Sequence, residues 1–381
     1  MNEYQETTVG KSTKTRLLLV LIIYKVVFFL LAFITIKHTG SIVEIDFQSL
    51  ADKSYPDVPS WGPRFLVWDA LHYLNIAKEG YNHGDGICAF YPLFPGLIRI
   101  SSILTGLSCF WTGLILSNLF SLIAFYQFYM LVRERYGKSA ARWALALLLI
   151  FPGAISFQLI YTESLFLMLV VIFFRRLFKN DFFGAGLCAL FLPMTRAIGI
   201  FVILPLFLWL WDNKRSLRDY TVLALPLIGY GFYFCIMAYY TGNPFEGFIA
   251  QRNYPNQPSI SNIFNLGREI REIINIDRFH GGMTSAVDRF HFIIVLLSLG
   301  LVWKLDKYLF AYAVLTGVIQ GFTHYYWSYP RLMMMCFPVF IAFAVFFNEK
   351  QFRWVRWYIA FVMGALWLYF IVLYFNYKWA S

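Results

Sequence analysis

Nine apolar runs, most of them near membrane length, constrain this chain more than anything else in it. They lie at 17–36, 110–132, 143–174, 183–211, 220–240, 289–303, 308–327, 332–347 and 358–377. A helix needs about 20 apolar residues to cross a bilayer core. Of the 381 residues, 59% are hydrophobic and only 14% charged, against about 25% charged in an ordinary soluble domain. Too little polar surface remains to coat a water-soluble body. The sequence therefore predicts an all-α, polytopic membrane protein forming a single integral domain over 1–381. The formal charge of +11 is no nucleic-acid signal. The basic residues sit in short gaps between apolar runs, and no basic block stands apart from them.

Proline and glycine divide the two longest runs. Phe151-Pro-Gly153 interrupts 143–174, and Pro193-Met-Thr195 interrupts 183–211, because proline removes a backbone donor and clashes with the preceding turn. Treating each run as two short helices gives a bundle of about 10–12 spans. Charge orients the bundle. The gaps 133–142, 175–181, 212–219 and 348–356 are basic and read as cytoplasmic. The polar start, with Lys11, Lys14 and Arg16 before an apolar run too long for a signal peptide, reads as the cytoplasmic lead into an uncleaved first helix. The loop 37–89 is acid-rich, with Glu44, Asp46, Asp52, Asp57, Asp69, Glu79 and Asp85, and reads as extracytoplasmic. These assignments agree if Phe90–Leu107, which carries Pro92, Pro95 and Arg99, is re-entrant or interfacial. If it spans instead, the charge rule fails once. Tyr161-Thr-Glu163, Thr195-Arg196, a second large loop at 241–288 and Ser328-Tyr-Pro-Arg331 then share the outer face with the first loop.

Unusual polar residues gathered on one side suggest a site. Between Pro63 and Gly80 the spacing predicts an amphipathic helix, with Asp69, His72, Tyr73 and Ile76 on one face. A solvated acid is the plainer reading of Asp69. The chemical reading is a general base near the headgroups that takes a proton from a sugar hydroxyl, with Arg64, Trp68 and His72 as nearby substrate contacts. Tyr91, in Phe90-Tyr-Pro-Leu-Phe-Pro95, belongs to an aromatic belt or stacks on a sugar or isoprenoid. Glu163 lies near a helix end at membrane depth, where an acid is costly and marks a site or a structural pair with Arg196. Arg196 and Arg331 each follow a proline break, and His324 precedes Arg331 by one or two turns. Guanidinium groups clamp phosphate oxygens, although snorkelling toward headgroups is the simpler account. Lys25 lies inside the first run, where its stem is long enough to snorkel.

Several chemistries find no support. There is no Walker A, GxGxxG, HExxH or Asp-x-Asp pattern, and no Asn-x-Ser/Thr sequon. Cys109, Cys188, Cys235 and Cys336 lie in or beside apolar runs, and only Cys88 sits in a polar loop. No cysteine framework or zinc spacing results. No metal ligands are assigned, and a need for a divalent metal is left open.

The motifs Trp68-Asp-Ala-x-His72, Ile76-Ala-x-x-Gly-Tyr81, Phe90-Tyr-Pro-Leu-Phe-Pro95, Tyr161-Thr-Glu-Ser-Leu-Phe166, Thr195-Arg196 and Pro330-Arg331 occur in one order. As a set they resemble the family of the second GPI mannosyltransferase (PIG-V), in the GT-C class of membrane glycosyltransferases. The resemblance covers about residues 64–340. It implies a GT-C-like bundle with the site at the outer face, a polyprenyl-phosphate-linked sugar (mannose) as donor, inverting transfer, and Asp69 as the catalytic acid residue of the first outer loop. The short chain without sequons resembles bacterial members, so the acceptor is a lipid or cell-envelope glycan other than a GPI anchor. Two other classes fit the composition: a transporter or flippase of a lipid-linked sugar, and a non-catalytic membrane assembly protein. The first predicts an internal repeat, which the sequence lacks. The second has no use for acids and arginines gathered at one face.

Overall fold

The apolar runs become long helices where nothing interrupts them and broken ones where proline or glycine does. The computed structural model describes residues 11–38, 55, 57–348 and 350–380, and these are helical with no sheet. Glu44, Asp46 and Asp52 of the acid-rich loop lie outside the described residues. The helices are α1 (Lys11–His38), α2 (Asp69–Glu79), α3 (Leu93–Thr105), α4 (Cys109–Leu149), α5 (Glu163–Phe178), α6 (Phe182–Phe191), α7 (Ile203–Asp212) and α8 (Ala224–Thr241). They continue as α9 (Glu246–Arg252), α10 (Leu266–Ile274), α11 (Ala286–Leu305), α12 (Lys307–Ala313), α13 (Gln320–Thr323), α14 (Tyr329–Met333), α15 (Pro338–Phe346) and α16 (Arg353–Phe375).

Among the described residues, 5 helices are long and apolar enough to cross a membrane, or up to 6 if a bent pair counts as one. This makes the chain a multi-pass membrane protein with fewer unbroken spans than the sequence suggests. The expected breaks account for the difference. At Pro152–Gln158 the chain tightens into a 3-10 segment and meets α5 at 98°. At Leu192–Met194 it does so again before the turn into Ala197–Val202. The gap 133–142 holds a sharp joint, since the range of α4 contains two helices that meet at Gly137, φ 86 and ψ 170. Only glycine adopts that conformation without strain. Helix α3 has 13 residues and ends at left-handed Gly106. At 1.5 Å per residue it extends about 20 Å, short of a core about 30 Å thick, so it does not cross alone.

The basic gaps converge on one end of the bundle. Arg135 pairs with Asp306 at 2.6 Å and Lys307 with Asp212 at 2.7 Å. Arg175 and Lys179 meet Glu134, Arg215 donates to Asn180, and Ser139 and Arg356 share Asn348. From this end the helices run to the opposite one, where α2, the starts of α5 and α11, and α14 gather.

Lys25 corrects one expectation, because it does not snorkel. Its side chain is buried, and Nζ donates to Ser121 Oγ at 2.6 Å, Gln158 Oε1 at 2.6 Å and Phe157 O at 3.1 Å. All three ammonium protons are used. Two go to the break, where a 3-10 turn leaves carbonyls that lipid cannot satisfy. Gln158 is in turn tied to Tyr24 and to Ala154 O. Replacing Lys25 by Met leaves the buried Gln158 Oε1 without a donor, while Phe157 O keeps Ser164 Oγ and Ser121 Oγ keeps Asn118 O, so Lys25→Met should cost about 1–3 kcal/mol, read as a lower unfolding temperature in detergent. An unchanged unfolding temperature contradicts this role.

Candidate active site

Two helix beginnings bring the acids together. Asp69 is the first residue of α2 and Glu163 the first of α5, where the positive end of the helix dipole favours a carboxylate. Trp68 just before Asp69 has φ 57, and Ser328, which starts the turn into Arg331, has φ 59. Both are in the left-handed region that non-glycine residues avoid. Tyr325 and Tyr326 are left-handed too. Such strain gathers where surrounding structure fixes side chains for a task.

The four charged residues form a chain. Arg331 pairs with Asp69 through Nη2, and its Nε lies 2.7 Å from Glu163 Oε1. The same oxygen accepts from Arg196 Nη1 at 2.5 Å. Arg196 also reaches Thr162 Oγ1 at 3.4 Å, and Thr162 meets Tyr73 OH at 3.2 Å. The Arg331 guanidinium lies 5.0 Å from the centroid of the Tyr161 ring. Glu163 is 1% exposed, while the Asp69 side chain is 22% exposed. Close packing of backbone holds each arginine turn. A Cβ on Gly153 would stand 2.4 Å from Pro330 O, and one on Gly199 would stand 2.2 Å from the Leu192 carbonyl carbon.

A cavity of about 570 Å³ opens beside this chain. Asp69, Arg196, Arg331, His324 and Tyr91 line it, and Glu163 stands behind the arginines. One wall is polar. The rest is largely apolar, with Ile198, Ile200, Phe201, Ile319 and Phe248. Tyr91 is stacked on Tyr233 and hydrogen-bonded to Tyr230 at 3.1 Å. His324 Nδ1 lies 3.0 Å from Thr323 Oγ1 and 3.2 Å from Gln320 O.

Besides Glu163, three predicted contacts lie outside the cavity lining. Arg64 donates to Phe375 O at 2.5 Å and covers the Tyr377 ring, so it fastens the end of α16. Trp68 packs edge-on against Trp379. His72 lies against Phe90, and burial pulls its pKa below the ordinary histidine value against the opposing pull of Asp69 and Asp85.

Sequence reasoning missed Arg252 and Gln251 at the mouth, Gln320 in the wall, and Asp288. Asp288 is fully buried, and its carboxylate lies against the backbone N–H groups of Ser328 and Tyr329 without aligned hydrogen-bond geometry. One signal was available. Arg252, Arg268, Arg271 and Arg278 fall in a loop that the charge rule places outside. Among the described residues no three His, Cys, Asp or Glu side chains gather as a metal site.

No protein-family model matches the chain, and no curated protein matches it. Among solved structures it is similar to the crystal structure of the Archaeoglobus fulgidus oligosaccharyltransferase in complex with Zn and sulfate. The identity is 14% and the TM-score 0.47, over 84% of this chain and 49% of that one. This chain thus spans about half the length of that protein.

The arrangement separates the two acids by experiment. Glu163→Gln strips two part-buried guanidinium groups of one shared, buried counter-ion, and breaking such a pair costs about 3 kcal/mol or more. Asp69→Asn removes a partly exposed carboxylate from a chain that keeps Glu163, so its cost in stability should be about 1 kcal/mol or less. Thermal unfolding of both variants in detergent checks the order, and equal losses contradict it.

Proposed function

We propose that this chain is a membrane glycosyltransferase of the GT-C class. It moves a sugar, mannose, from a polyprenyl-phosphate-linked donor to a lipid or cell-envelope glycan acceptor. In this reading the basic end faces the cytoplasm and the cavity faces the outer side of the membrane. The observation that carries it is one cavity with Asp69, Arg196 and Arg331 on one wall and apolar side chains on most of the rest. A phosphate attached to an isoprenoid has those two characters in one molecule.

The chemistry is a single displacement. The acceptor hydroxyl oxygen bonds to the anomeric carbon from the face opposite the leaving group, and Asp69 takes the hydroxyl proton. The bond from the anomeric carbon to the phosphate oxygen breaks, and its electron pair leaves with the phosphate. Arg196 and Arg331, with Arg252 at the mouth, stabilise that developing charge. No general acid is required, because a phosphate leaves as an anion. Arg331 pairs with Asp69. A bound phosphate competes for the same guanidinium, which leaves the carboxylate to act on the acceptor. Glu163 then keeps both arginines aimed at the cavity as a positioning residue.

The broken helix beside an intramembrane charge cluster also suits a transporter of a lipid-linked sugar. Transfer of labelled mannose from polyprenyl-phosphate-mannose by the purified chain separates the two, since a transporter moves label across vesicles without making a glycoside. Asp69→Asn should lower transfer by about 10²–10⁴-fold while the protein still accumulates. Arg331→Lys, which keeps charge but loses the fork, should retain measurable activity, and Arg331→Ala should lose far more. Near-normal turnover by Asp69→Asn contradicts the base assignment.

A further inference from the structure

Helix α10 is built inside out for a helix in water. Its polar side is turned into the protein. Glu269 is buried, and its Oε2 accepts from Tyr326 OH at 2.7 Å. Burial pushes the Glu269 carboxyl up to about 7. The Arg268 guanidinium lies 4.0 Å from the Tyr325 ring centroid. Its last turn is fastened by Arg289, which donates to Glu272 O from Nε at 3.0 Å and Nη2 at 2.8 Å. The apolar side is turned outward. Leu266, Ile270 and Ile274 recur every four residues on one face and are exposed, Ile274 by 71%. Phe264 just before the helix is 84% exposed, and Ile276 and Phe279 beyond it are exposed as well.

The level of α10 in the membrane follows from Arg289. That residue is in the first turn of α11, one of the membrane-length helices. A helix fastened across the end of a span lies at headgroup depth. Exposed Arg252 and Arg271 accompany the apolar face, and this combination of apolar face and basic fringe suits an anionic leaflet. The segment is also fixed to the cavity. Ser259 N and Asn262 Nδ2 donate to Thr323 O, and Asn256 Nδ2 donates to His324 O. Ile260, exposed at the near end of the same apolar stretch, lines the cavity.

We propose that residues 260–279 form an interfacial element seated in the lipid leaflet on the site's side, with α10 lying in the membrane plane. It holds the cavity mouth at the boundary of headgroups and acyl chains, so that a lipid-linked substrate reaches Arg252 and the charged chain sideways from the leaflet. The seating stands on the geometry of α10, and the route for substrate rests on the function proposed above.

The full chain, with its five native cysteines replaced, is reconstituted in vesicles of phosphatidylcholine and phosphatidylglycerol. Single substitutions Phe264→Cys and Ile270→Cys carry a fluorophore. Brominated phospholipids should quench both to the extent seen for Leu297→Cys, on the exposed face of α11. Asn253→Cys, at an exposed polar position, should be quenched little. Quenching of Ile270→Cys no greater than that of Asn253→Cys overturns the seating. So does label-to-label proximity at Ile270 between two chains, which would show a second copy covering the face. The double variant Phe264→Glu with Ile270→Glu should raise the apparent KM for a long-chain donor by about tenfold, since it removes buried apolar contact. A water-soluble short-chain donor should be used as before. Equal effects on both donors overturn the route. Absence of any transfer by the parent chain overturns the proposed function and with it the route, while quenching still decides the seating.

Discussion

One carboxylate organises the end of this protein that carries the cavity. Glu163 stands at the start of α5, shielded from solvent, and a single oxygen of it meets both Arg196 and Arg331. Each arginine arrives from a separate proline-broken turn, and Arg331 carries the connection on to Asp69. Buried ions are expensive alone and tolerable when each has a partner. The alternation of acid and base is therefore what permits four charges to stand together at this depth. It also fixes their order, with Glu163 behind the arginines and Asp69 at the cavity.

Irregular backbone makes that meeting possible, and irregular backbone is costly in lipid. The break at Pro152–Gln158 is answered by an ammonium from another helix, since Lys25 donates to Phe157 O and Gln158. Gly153 then brings this segment against the Pro330 carbonyl. Stabilising the break and placing Arg331 are consequently one structural task, shared between α1 and α14.

Much of this was legible in the sequence, for identifiable reasons. Proline is an unambiguous breaker, so the interruptions near Pro152 and Pro193 fall where they were expected. Charge asymmetry in short gaps is a strong signal, and the basic gaps do meet at one end. Acids and arginines are rare in apolar runs, so Asp69, Glu163, Arg196 and Arg331 stood out, and the structure brings all four together. Tertiary contacts could not be read in the same way. Arg64 reaches the last carbonyls of a helix more than three hundred residues away, which no local pattern records. Lys25 resembled a snorkelling residue because its acceptors come from α4 and from the broken segment. Splitting the long runs gives about 10–12 spans from the sequence, and among the described residues 5 helices, or up to 6, are long and apolar enough to cross, with other apolar stretches in shorter helices. Arg252 escaped notice because an arginine in a long polar loop looks solvated, and only the fold brings it to the cavity mouth.

In the proposed function the Asp69–Arg331–Glu163–Arg196 chain receives the phosphate of a lipid-linked substrate. A structure of the purified protein in lipid nanodiscs with bound polyprenyl phosphate tests it most directly. Phosphate density is expected within hydrogen-bonding distance of Arg331 and Arg196, with Arg331 drawn from Asp69 and the isoprenoid along Ile198, Phe201 and Ile319. Phosphate density at the opposite, basic end, with the Asp69–Arg331 pair intact, would contradict it.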